Sequence, residues 1–181
     1  MRPVPAGFSN YLGITVGASA NVTVGSSESF LVAQKIEGFN FADMAWGTAS
    51  ASTVTLSFWV RSSLTGTFGG ALANGAANRW YPFSYTISSA NTWEQKSVTN
   101  AGDTSGTWVG ATNGVGLNLY LSIGAGATVS GTAGSWSGTT FLSATGAVKL
   151  IETNSATFYI TGVQLEKGST ATSFDYRPYG T

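Results

Sequence analysis

Apolar residues alternate with polar or small residues along several stretches of this chain. In the clearest stretch, every second residue from Val115 to Ile123 is valine, leucine or isoleucine. Successive side chains of a β-strand point to opposite faces of a sheet, so this period of two predicts a strand with one buried face. Residues 53–61 and 80–87 carry the same pattern. Weaker patterns predict further strands at residues 12–16, 30–36, 93–99 and 147–151.

Two of the strand predictions carry further detail. In residues 157–166 the apolar positions are even-numbered before Gly162 and odd-numbered after it. A change of face within one strand predicts a β-bulge at this glycine. Pro82 cannot donate a backbone hydrogen bond, which indicates an edge strand or a strand start for residues 80–87.

Clusters of glycine, serine and asparagine separate these stretches. The 24 glycines favour turns and disfavour long helices. Many short strands between turns indicate an all-β sandwich or barrel, and no linker divides the chain, so residues 1–181 are expected to form one domain. We also expect a helical turn near residues 41–45, a strand-connecting turn at 66–70, and a long surface loop or loosely ordered edge at 124–145.

The composition argues against several classes of function. Only 9% of residues are charged and the formal net charge is zero, so neither nucleic-acid binding nor membrane binding is expected. No apolar run reaches the ~20 residues of a membrane-spanning helix. Cysteine and histidine are absent, which removes disulfides, thiolate metal sites and histidine-based catalysis. The eight carboxylates show no spacing typical of a glycosidase pair, so we expect no enzymatic activity.

Six blocks of sequence carry a family resemblance. They include TVTLSFWVRSS at residues 53–63, ATFYITGVQLEKG at 156–168 and ATSFDYRPYGT at 171–181, and the others lie at residues 34–43, 93–99 and 102–108. In this order they resemble a domain that recurs near the C-termini of bacteriophage tail-fibre and related virion proteins. That family is similar in outline to the jelly-roll carbohydrate-binding modules.

The resemblance implies a two-sheet antiparallel β-sandwich with jelly-roll topology, a place on the virion surface and a homotrimer. The similar carbohydrate-binding modules often carry a structural calcium. Thr161 stands where their last strand commonly has an acid, so no metal ligand and no other cofactor are predicted.

Aromatic side chains outside the predicted apolar faces are candidate sugar contacts, because flat rings stack on pyranose rings. Trp80 and Tyr120 lie opposite the apolar faces of their strands, and Trp136 lies in the glycine- and serine-rich segment. The alternative is that all three cover the sheet, pack under a loop or contact a neighbouring subunit. Trp59 lies on the more polar face of its strand, where packing is favoured over ligand contact.

The chain ends in an aromatic tail at about residues 171–181. Its rings and its arginine can dock on a neighbouring subunit, and wrapping around its own domain is an equally favoured alternative. The interface candidates are Phe174, Tyr176, Arg177 and Tyr179.

Two functional hypotheses follow from these observations. The first is a phage virion surface domain, in a tail fibre or adhesin, that binds host-surface carbohydrate without covalent chemistry. The second is a purely structural virion component, a capsid decoration or tail-assembly domain, whose aromatic residues contact other virion proteins.

Overall fold

The computed structural model describes residues 4–19 and 23–176, which form strands and short 3₁₀ helices. The strands are β1 Leu12–Thr15, β2 Ser29–Glu37, β3 Val54–Ser62, β4 Gly66–Asn74, β5 Trp80–Ile87, β6 Glu94–Asn100, β7 Val115–Ala125, β8 Ser130–Gly131, β9 Ser143–Ala144 and β10 Thr157–Lys167. The 3₁₀ helices are Gly38–Asn40, Ala42–Met44, Ala127–Val129 and Leu150–Glu152. Within the described ranges, no helix has the length and hydropathy needed to cross a bilayer.

Eight of the strands form two four-stranded antiparallel sheets. Sheet 1 has the order β1-β10-β3-β6, and sheet 2 has the order β2-β7-β4-β5. The chain crosses between the sheets in the sequence that gives an eight-stranded jelly-roll. The predicted all-β, two-sheet antiparallel jelly-roll sandwich is therefore confirmed. The two-residue strands β8 and β9 pair in parallel outside these sheets.

The inner faces of the two sheets pack together to form the core. On β3 the alternating residues from Val54 to Val60 are at most 1% exposed, and they face the stripe of β7 that begins at Leu117. Phe58 of sheet 1 meets Tyr85 of sheet 2 edge to face, with ring centroids 4.9 Å apart. The period-two patterns thus mark the residues that join the sheets.

Residues 126–149, which we call the insert, cover the outer face and free edge of sheet 2. Ser137 and Trp80 exchange two backbone hydrogen bonds of 2.9 and 2.8 Å, and Gly134 N donates to Pro82 O at 2.9 Å. Strand β5 is thus the edge strand that Pro82 indicated. The insert forms hydrogen bonds with part of β5, so that these backbone groups of the edge strand are not left unpaired.

Strand β4 was missed because the insert buries its outer face. The prediction of a turn at residues 66–70 is wrong, since they begin a nine-residue strand. The outward positions of this strand are Gly69, Ala71 and Ala73, and a Cβ on Gly69 would lie 2.3 Å from Ser143 Oγ of the insert. Small residues fit this close approach, and they remove the polar alternation that marks a half-exposed strand.

Two further expectations need correction. Residues 147–151 form no strand; Val148 N donates to Thr67 O at 2.7 Å, and Leu150 is buried at the start of a 3₁₀ helix. The segment 124–145 is a surface segment, but its first two residues complete β7 and the rest packs on sheet 2 instead of lying loosely. The helical turn near residues 41–45 is confirmed as the 3₁₀ helix Ala42–Met44.

The bulge predicted in the last strand is also confirmed. The register between β10 and β3 shifts between Thr161 and Gln164, and Gly162 adopts a φ of 58°. This left-handed conformation favours glycine. The bulge moves the inward position from Ile160 to Leu165, which pairs with Leu56.

Candidate functional site

The outer face of sheet 1 is polar and aromatic and is not covered by the insert. Trp59 at its centre is paired in register with Gln95 of β6 on one side and with Thr161 of β10 on the other. Two residues further along β3, Arg61 is paired with Tyr159. The alternation that buries one face of β3 brings these side chains to the opposite face.

A recess of about 240 Å³ lies on this face. Its floor contains Ser57, Trp59 and Gln95, and its walls come from segments close to the two ends of the chain, including Phe8, residues 172–174 and Tyr176. Trp59 is partly exposed and Gln95 is exposed. The side-chain amide of Gln95 makes no hydrogen bond to any residue in the described ranges, so its donors and acceptor are available to a ligand.

The segment after β10 is held over sheet 1 by side chains of that strand. Asp175 N donates to Gln164 Oε1 at 2.8 Å, and Thr172 N donates to Glu166 Oε2 at 3.0 Å. The Tyr176 hydroxyl donates to Gly7 O. Desolvation raises the pKa of Glu166, but hydrogen bonds from Thr172 and Gln164 outweigh it and leave the pKa below its ordinary value.

The tail residues in the described ranges pack on their own domain. The ring of Phe8 lies 5.1 Å from that of Phe174 and 5.5 Å from that of Tyr176. Of the interface candidates, Phe174 and Tyr176 thus line the recess, while Arg177 and Tyr179 lie outside the described residues. Contact of this tail with another subunit stays a prediction.

A second aromatic group lies beside the recess on the same face. The ring centroid of Tyr11 is 5.9 Å from that of Trp93 and 5.3 Å from that of Tyr159. The guanidinium of Arg61 lies over the Tyr159 ring, 5.6 Å from its centroid. The outer face of sheet 1 therefore carries aromatic rings on both sides of Trp59 and a cation at one end.

Trp80 and Tyr120 lie on the outer face of sheet 2, beneath the insert. Their rings stack with centroids 5.8 Å apart, and Leu142 of the insert packs against this cluster. Trp80 is 4% exposed, and its indole nitrogen donates to Ala77 O at 3.0 Å. Both side chains point away from the core between the sheets, as expected, but a sugar ring reaches Trp80 only if the insert moves.

Trp136 lies in an aromatic cluster at one end of the sandwich. Its ring centroid is 5.1 Å from those of Trp46 and Tyr81, and 5.5 Å from that of Trp108. Its indole nitrogen donates to Ala101 O at 2.8 Å. Because one side remains partly exposed and borders a shallow depression of about 410 Å³, sugar contact by Trp136 stays a prediction.

An ion pair between the partly exposed Arg79 and the buried Asp103 supports this aromatic cluster. Asp103 is 1% exposed, and it accepts hydrogen bonds of 2.7 Å from both Nε and Nη2 of Arg79. Trp108 Nε1 donates to the same carboxylate at 3.3 Å. The hydrogen bond to Asp103 raises the pKa of Arg79 above its ordinary value, so the guanidinium stays charged.

An apolar cleft of about 410 Å³ opens between the sheets on the side of β1 and β2. It is bordered by Leu12 and Val163, which are 50% and 41% exposed. Gln34 is its polar residue, so the cleft offers few groups to the hydroxyls of a sugar.

No group of three or more carboxylates in the described ranges is placed to hold a metal ion. Thr161, at the position where an acid would be expected, donates from its hydroxyl to Asn10 O at 2.7 Å. It therefore holds the N-terminal segment against β10.

Sequence reasoning placed Trp59 on the outer face of its strand but did not select it as a ligand contact. Gln95 carries no local signal, because a glutamine in an alternating strand is an ordinary exposed residue. The recess depends on the approach of residues 6–8 to residues 172–176, which are far apart in the sequence. The parity change at Gly162 and the aromatic tail residues Phe174 and Tyr176 were sequence signals close to this region, but none of them pointed to a recess.

Several solved structures resemble the chain, among them two at low sequence identity. One, described as "CBM4 structure and function", is 12% identical and has a TM-score of 0.44, covering 87% of this chain and 71% of that chain. The other is the N-terminal cellulose-binding domain from Cellulomonas fimi β-1,4-glucanase C, which is 16% identical with a TM-score of 0.36, covering 90% and 82%. No family model and no curated protein matches the sequence. The jelly-roll assignment therefore rests on the strand order of this chain.

Proposed function

We propose that this chain is a non-catalytic domain of a bacteriophage virion surface protein, in a tail fibre or adhesin, that binds host-surface carbohydrate at the recess on sheet 1. The observation that carries the carbohydrate assignment is the partly exposed Trp59 beside the side-chain amide of Gln95, which has no hydrogen-bond partner in the described ranges. Sugar sites combine an aromatic face for the ring with polar groups for the hydroxyls. The virion assignment rests on the sequence resemblance.

Binding without hydrolysis agrees with the groups that line the recess. Glycoside hydrolysis ordinarily uses two carboxyl groups on opposite sides of the scissile bond. Among the residues that the structure describes, the lining contains serine, threonine, glutamine and aromatic side chains and no carboxylate. These groups can donate and accept hydrogen bonds at neutral pH, but they supply no general acid for a leaving group.

Repetition on a fibre would compensate for weak binding at a single site. In a homotrimer, which the resemblance implies, three recesses would be carried on one particle. Linked sites raise the overall affinity by ~10²–10⁴ when the geometry allows simultaneous contact. Light scattering of the purified protein measures the number of subunits. A protein that is monomeric at every concentration would contradict the trimer.

The proposal is tested with an array of bacterial surface polysaccharides. We expect wild-type protein to bind at least one of them, and Trp59→Ala and Gln95→Ala to reduce that binding by about tenfold or more, because each removes a direct contact. Trp80→Ala and Trp136→Ala are the matched controls for the other aromatic sites, with near-ultraviolet circular dichroism as the check on folding.

Two results would contradict this assignment. Full binding by folded Trp59→Ala and Gln95→Ala proteins would place the site elsewhere, and loss only in the Trp80 and Trp136 variants would place it at the insert. Absence of binding by wild-type protein, in its oligomeric form, to every host polysaccharide would exclude carbohydrate recognition.

The apolar cleft supports the second candidate, a structural virion component. Leu12 and Val163 expose apolar surface at the cleft, and exposed apolar patches mark protein contacts. Leu12→Asp would then abolish co-assembly with other virion proteins without affecting glycan binding. Unchanged assembly of the folded Leu12→Asp protein would contradict this candidate.

A further inference from the structure

Arg61 lies on the outer face of sheet 1 and has no carboxylate partner among the residues that the structure describes. The ion pairs within the described ranges join Arg79 to Asp103, Lys96 to Glu94 and Lys149 to Glu152, and none includes Arg61. The chain has a formal net charge of zero. An unpaired guanidinium beside a recess is therefore a local feature and not part of a general positive charge.

The protein holds this guanidinium in place but satisfies it incompletely. Arg61 Nε donates to Asn91 O at 2.7 Å, and Nη2 makes only a long contact of 3.5 Å to Asn91 Oδ1. Nη1 is shielded from solvent and has no hydrogen-bond partner within residues 4–19 and 23–176. A buried donor without an acceptor costs free energy, so an acceptor that reaches it is favoured.

The position of Arg61 joins it to the proposed site. It follows Trp59 by two residues on the same face of β3, so their Cα atoms are about 6.5–7 Å apart. Tyr159 lies under the guanidinium, and rings on that side restrict its movement. A saccharide that covers Trp59 and extends along β3 meets Arg61 next.

We infer that the recess selects acidic saccharides, in which a sugar carboxylate of the uronic acid type binds Arg61 while a neighbouring ring contacts Trp59. This inference rests on the proposed function. A carboxylate accepts two parallel hydrogen bonds from a guanidinium. After a small rotation of the Arg61 side chain, the sugar carboxylate replaces the long contact between Nη2 and Asn91 Oδ1. It also accepts a hydrogen bond from Nη1.

The test compares polygalacturonate with the same polymer after its carboxylates have been reduced to alcohols. Affinity electrophoresis is run with wild-type protein, Arg61→Gln and Lys35→Gln; Lys35 is an exposed cation on β2 of the other sheet, so its variant has the same net charge as Arg61→Gln. We expect wild type and Lys35→Gln to bind the acidic polymer about tenfold or more tightly than Arg61→Gln does. Arg61→Lys is expected to bind more tightly than Arg61→Gln but less tightly than wild type. Lysine keeps the positive charge but cannot donate two parallel hydrogen bonds to one carboxylate.

Each outcome separates the inference from the proposed function. Equal binding of acidic and reduced polymers by wild type, or equal losses in Arg61→Gln and Lys35→Gln, would overturn the acidic preference and leave carbohydrate binding intact. Binding of the reduced polymer but not of the acidic polymer would also overturn the acidic preference and leave carbohydrate binding intact. If wild-type protein binds neither these polymers nor any polysaccharide of the host array, the proposed function fails and the inference fails with it.

Discussion

At the scale of single residues, the few charged groups of this chain hold loops onto the sheets. Asp103 joins Arg79 to the indole of Trp108 at one end of the sandwich. Glu94 accepts hydrogen bonds from Ser88 and Ser89 in the connection that precedes β6. Removing one member of a partly buried ion pair leaves the other charge uncompensated, which is costlier than losing the pair's attraction alone.

Asp103→Asn should lower the free energy of unfolding by about 2–3 kcal/mol, because it leaves the partly buried guanidinium of Arg79 without its counter-charge. Urea denaturation followed by tryptophan fluorescence measures this loss. The control is Lys149→Gln, which breaks a pair that is about one third exposed and should cost less than ~1 kcal/mol. Equal, small effects of the two variants would contradict the structural role of Asp103.

Glu94 should stabilise the fold at neutral pH and lose this effect in acid. Hydrogen bonding to Lys96 first, and then to the amides of Ser89 and Ser88, lowers the pKa of Glu94 despite partial desolvation. A lowered folded-state pKa gives stability that is present above the unfolded pKa and is lost as the pH falls through the folded value. The stability difference between wild type and Glu94→Gln should therefore be largest near pH ~7 and shrink towards pH ~3. A difference that is constant over this range would contradict the assignment.

At the scale of elements, the bulge in β10 connects the core to the proposed site. It lets β10 contribute Ile160 and then Leu165 to the core although their positions differ in parity. At the bulge, Gly162 presents only a hydrogen to the ring of Phe8, which packs on Phe174. The bulge in β10 thus leaves space for Phe8 and residues 172–176, which form the walls of the recess.

Gly162→Ala should destabilise the protein by about 1–3 kcal/mol and loosen the recess. A Cβ at this position would lie 2.5 Å from the Phe8 ring, in addition to the cost of the positive φ. Gly134→Ala is the matched control, because Gly134 also has a positive φ but has no atom within 4 Å of the added carbon. Thermal unfolding of both variants measures the difference, and an equal loss in the two would show that the contact with Phe8 is unimportant.

At the scale of the whole molecule, the sequence predicted the sandwich well where apolar residues alternate with polar or small residues along a strand. The alternation of residues 115–123 and 53–61 identified β7 and β3, and the parity change identified the bulge. Strand β4 was missed because its outward residues Gly69, Ala71 and Ala73, which face the insert, are small and not polar, so they give no polar alternation with the inward side chains. The recess was missed for a different reason, since it depends on contacts between segments near opposite ends of the chain, which no local pattern encodes.

The most direct test of the proposed carbohydrate site uses the six tryptophans as separate reporters. Each indole N–H gives its own signal in a ¹H–¹⁵N correlation spectrum, and single substitutions assign them. On titration with the oligosaccharide that the array identifies, the account predicts that the Trp59 signal shifts progressively and that the signals of the buried Trp46 and Trp80 stay unchanged. Shifts confined to Trp80 and Trp136, with Trp59 unaffected at saturation, would contradict it.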